Sequence, residues 1–200
     1  MLRRYSPART ESILGSLSPL LGTIEGDYGV PAACMKAILY REMTFIDLFD
    51  AAADLAVRFR WLSRLTGKKD CSTGYAQIFA STAIRALCFA EERGIESATR
   101  LGFDPSRRLS PENAEDLYEI WLRLNRDTEF NLRLAALNVL SAAEEVTGRI
   151  GFPDYTEEEY KKIFSRYNAN TAKITSYGET VWKHFLRYGG KKGPAESEGA

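Results

Sequence analysis

The chain has one histidine, His184, and three cysteines, Cys34, Cys71 and Cys88. A single imidazole leaves a Cys/His zinc site or a histidine-based triad little to work with. His184 stands among Trp182, Phe185 and Tyr188, a setting for packing rather than for catalysis. An odd number of cysteines, at spacings that match no zinc or redox pattern, points to reduced thiols, and Cys34 and Cys88 lie in apolar helical surroundings. No metal and no cofactor is therefore expected. Net charge is missing as well: 27 Lys and Arg balance 27 Asp and Glu. Without a basic excess, nothing argues for nucleic acid or for docking on an anionic surface, and an anionic polymer would have to be recognised locally. No apolar run approaches the length of a membrane span. The N-terminus has Arg3 and Arg4 but no apolar stretch before Glu11, so no secretory signal is recognisable. The expectation is a protein made in the cytoplasm, or a domain cut from something larger.

What the chain does have is helical periodicity. Two hundred residues, 44% of them hydrophobic, suit one domain with a sizeable core, and no segment alternates as a strand should. An all-α fold is expected. The pattern predicts a first helix from about Pro7 to Leu21, ending in a Gly-rich turn from Gly22 to Gly29, and a long second helix from near Pro31 toward Leu65. After the polar loop Gly67 to Gly74, a third helix is predicted from about Tyr75 to Arg93. Ile95 to Leu109 reads as a mixed connection with one short helix. Ser110-Pro111-Glu112 opens the next helix, to about Asn125, and Asp127 caps another from Thr128 to Thr147. Thr156 to Glu159 fits a capping box for a helix through Tyr167, and a last helix spans about Ser176 to Tyr188. The organisation expected is an N-terminal helix and turn over 1–29, a main domain over 30–188 and a disordered tail over 189–200.

Glu42 is the residue that most invites a chemical reading. On a helix, its neighbours one turn away are Ile38, Leu39, Phe45 and Ile46, all apolar. A carboxyl at the edge of a core holds its proton more readily than one in water, which is how a general acid is made at neutral pH. Asp47 and Asp50, on the same stretch, are not comparably enclosed. The plainer reading of Glu42 is a partly buried carboxylate paired with an arginine.

Downstream stands Ser72-Thr73-Gly74-Tyr75-Ala76-Gln77-Ile78-Phe79, followed by Ser81-Thr82-Ala83. It reads as a polar loop turning through Gly into a helix, with Gln77 one turn inside. Together with Tyr40-Arg41-Glu42-Met43, Asn131-Leu132, Tyr167-Asn168-Ala169-Asn170 and Tyr177 to Val181, it resembles the lysozyme-like superfamily, closest to soluble lytic transglycosylases and goose-type lysozymes. The motifs fall in the family's order over about residues 30 to 185. The resemblance implies a single helical lysozyme-like domain with a substrate groove, α+β at most, with any small β-element confined to the loop between Gly67 and Gly74. There are departures. Met43 stands where the family has Ser, Tyr75-Ala76 where it has Leu-Met, and Asn170 where it has Gly.

The resemblance implies a peptidoglycan-cleaving glycosidase of the lytic transglycosylase type, acting on glycan strands between N-acetylmuramic acid and N-acetylglucosamine, as in a phage-type endolysin, an injected lysozyme or a wall protein. Glu42 would act as acid and then base, while the sugar's own acetamido and 6-hydroxyl groups complete a 1,6-anhydro product. Ser72, Gly74, Tyr75, Gln77, Thr82, Asn131, Tyr167 and Asn168 would bind substrate. Asp70 would be the base if the enzyme were instead an inverting muramidase, whose carboxyls stand roughly 6.5–9.5 Å apart. Each residue also has a plainer role. Asp70 suits a loop or helix cap beside Lys68 and Lys69, Gln77 a bond to a loop carbonyl, Tyr167 a core aromatic and Asn168 a helix C-cap. The same pattern also fits a helical glycan-binding or structural module without turnover, and a related enzyme acting on chitin.

Overall fold

The computed structural model describes residues 5–45, 70–104, 106–152, 154–171 and 173–191. The protein is mostly helical. Among the described residues there are seven helices and one short hairpin: α1 (Pro7–Tyr28), α2 (Ala32–Thr44), β1 (Ser72–Thr73), β2 (Ile78–Phe79), α3 (Ala80–Glu92), α4 (Ala114–Arg126), α5 (Thr128–Thr147), α6 (Glu157–Asn168) and α7 (Ser176–Arg187). None of the described helices is long and apolar enough to cross a membrane.

The chain forms two compact units, one of Met1–Pro7 and Glu42–Asn138, the other of Ala8–Arg41 and Val139–Ala200. In the first, α3 packs on α4, and α4 also meets β1. Its interior holds Ile84, Leu87, Leu117, Ile120, Trp121 and Leu124, all buried. In the second, α6 packs on α7 around a cluster of rings. Tyr160 lies 4.7 Å from Phe185 and 5.6 Å from Trp182 between ring centroids. Gly178 of α7 makes that packing close, because a Cβ there would stand 2.3 Å from the Lys161 carbonyl oxygen of α6.

Helix α1 runs well past the predicted stop at Leu21. Its buried residues Leu14, Leu21, Ile24 and Tyr28 form one stripe, and Gly22 and Gly26 fall on the exposed face. A helical Gly costs about 1 kcal/mol relative to Ala, whereas burying each large apolar side chain gains about 1.5–3 kcal/mol, so the stripe wins. The helix ends at Gly29, which takes φ +69°. The continuation of α2 toward Leu65, with Ile46, Asp47 and Asp50, lies outside the described residues, as does the tail beyond residue 191.

Two starts differ from expectation. The third helix begins at Ala80, not Tyr75, because residues 72–79 fold into the hairpin, in which Ser72 pairs with Phe79 and Thr73 with Ile78. The β-element therefore extends past Gly74. Helix α4 begins at Ala114 rather than after Ser110, because the Asn113 side chain accepts from the amides of Glu115 and Asp116. The expected caps of α5 and α6 are in place: Asp127 Oδ1 accepts from Phe130 N at 2.9 Å, and Thr156 and Glu159 form a reciprocal capping box.

Candidate functional site

The first unit contains Glu42, Asp70, Ser72, Gly74, Tyr75, Gln77, Thr82 and Asn131. Its hairpin is clamped by side chains from two helices. From α4, Trp121 Nε1 donates to Cys71 Sγ at 3.1 Å and Asn125 Nδ2 donates to Thr73 Oγ1 at 2.7 Å. From α5, the fully buried Asn131 grips both sides of the turn. Its Nδ2 donates to the Thr73 carbonyl at 3.1 Å, and its Oδ1 accepts from the Ala76 amide at 3.0 Å. A side-chain amide is suited to this place because it offers one donor and one acceptor at a fixed spacing.

Gly74 is required by space as well as by φ +73°: a Cβ there would stand 2.2 Å from Asn131 Nδ2 and 2.8 Å from the Leu124 carbonyl oxygen. Gln77 is not one turn inside a helix. It occupies the turn with φ +46°, a conformation that non-Gly residues seldom take. Its side chain compensates locally, with Nε2 donating to the Gly74 carbonyl at 2.6 Å and Oε1 accepting from Ser72 Oγ at 3.3 Å. A left-handed Gln held by its own side chain is the kind of local strain that recurs at ligand sites.

Asp70 stands at the N-terminus of α3, where Oδ1 accepts from the Ala80 amide and Oδ2 from the Ser81 amide, each at 2.9 Å. Both carboxylate oxygens thus meet orphan amides at the positive end of a helix. Thr82 lies in the first turn of that helix, half-buried.

Beside the hairpin is an open cleft of about 290 Å³ lined by Tyr5, Gly74, Tyr75, Leu124, Asn125, Thr128 and Asn131. Gly74, Tyr75 and Asn131 are among the candidate residues named from the sequence. Tyr5, Leu124, Asn125 and Thr128 are not. Asn125 and Thr128 flank Asp127 at the junction of α4 and α5, where only the capping signal stood out. Tyr5 belongs to the N-terminal stretch that the sequence sets apart from the main domain over 30–188, and its amide donates to the Met43 carbonyl at 3.1 Å. Glu42 is half-buried near the end of α2, next to the buried Met43, so a wall of the cleft is bonded to the residue that follows Glu42.

The second unit contains Tyr167 and Asn168, in the last turn of α6. Tyr167 is half-buried and Asn168 exposed, and Ala169 rather than Asn168 is the C-cap. His184 packs its ring 4.4 Å from that of Tyr40, and burial, helped by Arg187 and Arg41, lowers its pKa from the ordinary value. None of the three cysteines is in a disulfide. Burial, then the nearby Glu25, pushes the Cys34 thiol well above its ordinary pKa, so it is a poor nucleophile. Among the described residues, no group of three or more His, Cys, Asp or Glu is arranged to hold a metal ion.

No protein-family model, curated protein or solved structure matches the chain.

Proposed function

We propose that this protein is a peptidoglycan-cleaving glycosidase of the lytic transglycosylase type, with Glu42 as its general acid and base. The observation that carries the reading is the joint placement of Gly74, Tyr75 and Asn131 on one cleft whose Tyr5 wall is bonded to the residue after Glu42. These are residues that the lysozyme-like resemblance marks out, and they come from two stretches of chain, Gly74–Tyr75 and Asn131. A cleft of this size, edged by tyrosines, amides and a hydroxyl, has the chemistry for one ring of a glycan, with the aromatic face against C–H groups and the polar groups on hydroxyls.

In the reaction proposed, Glu42 gives its proton to the glycosidic oxygen as the bond to the muramic acid C1 breaks. The 6-hydroxyl of the same muramic acid then closes on C1 and returns a proton to Glu42, leaving a 1,6-anhydro end. Atoms balance without water. Asp70 favours this path over the inverting one, since a carboxylate whose two oxygens both accept from helix amides is ill suited to activating water.

Glu42→Gln tests the assignment. The amide is nearly isosteric and cannot deliver the proton, so lysis of purified cell walls is expected to fall by roughly 10²–10⁴-fold with an unchanged far-UV spectrum. Wild-type turnover by a folded Glu42→Gln protein would exclude Glu42 as the acid.

A further inference from the structure

Tyr5 comes to the cleft from outside every motif that suggested a site. Its N–H donates a hydrogen bond, at 3.1 Å, to the Met43 carbonyl, one of the last four carbonyls of α2, which have no partner within the helix. The same residue lines the cleft of about 290 Å³ together with Tyr75, Asn125 and Thr128. The backbone of residue 5 is thus held by the turn that carries Glu42, while the residue itself forms part of a surface offering aromatic, amide and hydroxyl groups.

We infer that Tyr5 is a substrate-contacting residue, supplying an aromatic face on which one sugar ring of the glycan rests in this cleft. This rests on the glycosidase reading and adds to it a binding residue from the N-terminal segment. The chemistry is that of an amphipathic ring. A pyranose presents C–H groups on one face and hydroxyls around its edge, so it matches a flat apolar surface beside the Asn125 amide and the Thr128 hydroxyl. The cleft, at about 290 Å³, is just below the roughly 300–1,000 Å³ range of ligand pockets, which suits one ring of a longer strand. Tyr5 therefore contributes to holding the strand and not to the proton transfer.

The test has two readouts. In a Glu42→Gln background, which holds substrate without turning it over, binding of a soluble tetrasaccharide of alternating N-acetylglucosamine and N-acetylmuramic acid is measured by calorimetry. Tyr5→Ala and Tyr5→Leu are each compared with native Tyr5 and with Tyr5→Phe. Both aliphatic variants are expected to weaken binding roughly 3- to 10-fold, with Tyr5→Phe within about 2-fold of native, because the flat ring and not the hydroxyl makes the contact. In the active enzyme, Tyr5→Leu should raise KM by the same factor and leave kcat within about 2-fold. Tyr5→Leu keeps a backbone amide for Met43, so it decides the matter if Tyr5→Ala does not fold. Native-like affinity in a folded Tyr5→Leu protein, or a loss confined to kcat, would overturn the inference while leaving the glycosidase reading in place. No tetrasaccharide binding even with Tyr5 present would overturn both.

Discussion

At the scale of single residues, the site depends on Gly74 and Asn131 fitting together. Any side chain at Gly74 must displace the amide that holds Thr73 and Ala76, and must also adopt φ +73°. Left-handed backbone at a non-Gly residue costs on the order of 1–3 kcal/mol by itself, and each buried polar group left without a partner adds about 1–3 kcal/mol. Gly74→Ala is therefore expected to destabilise the protein by at least about 2 kcal/mol and to lower lytic activity with it, as read from urea unfolding and a lysis assay. An unfolding midpoint equal to wild type would show that Asn131 does not grip the turn as described. Gly74, Gln77 and Asn131 stood out in the sequence as candidates, but their partners did not, and Gln77 lies in a turn rather than in a helix. Nothing in the residue order indicates that the Asn131 amide spans Thr73 and Ala76, because that pairing joins positions more than 50 residues apart.

At the scale of elements, the helix periods located most of α5, α6 and α7, and for α5 and α6 caps stood where the apolar pattern began. Asp127, the Thr156–Glu159 box and Gly148 all punctuate the chain by local chemistry. The hairpin escaped that reading. Its strands are two residues each, too short for alternation to register, and Ile78 continues the apolar pattern of α3. The end of α1 was misplaced for the opposite reason, since two glycines on its exposed face signalled a stop that the buried stripe overrides. Asp70 belongs to this scale too, as the cap of α3. Asn at this position keeps one accepting oxygen of the two and loses the charge that the helix N-terminus favours, so Asp70→Asn should lower stability by about 1 kcal/mol. Activity per folded molecule should stay within a few-fold of wild type. A dead but fully folded Asp70→Asn protein would instead identify Asp70 as a base.

At the scale of the whole molecule, the mostly helical character was legible from periodicity alone, whereas the division into two compact units was not. The boundary falls inside α2, between Arg41 and Glu42, and inside α5, between Asn138 and Val139, where an unbroken helical pattern gives no sign of a change of unit. The one histidine packs against Tyr40, and under the proposed function Glu42 and Asp70 are the carboxyls to be told apart. The structure gives these two different settings, Glu42 near the end of α2 and Asp70 on the amides of α3. The measurement that separates their roles is mass spectrometry of the fragments released from purified peptidoglycan by the wild-type protein. With Glu42 acting as acid and base and the 6-hydroxyl as the internal nucleophile, the fragments carry 1,6-anhydro ends, one water lighter than reducing ends. Fragments with reducing ends would contradict this and make the enzyme a hydrolase, and no fragments at all from folded protein would remove the glycosidase assignment itself.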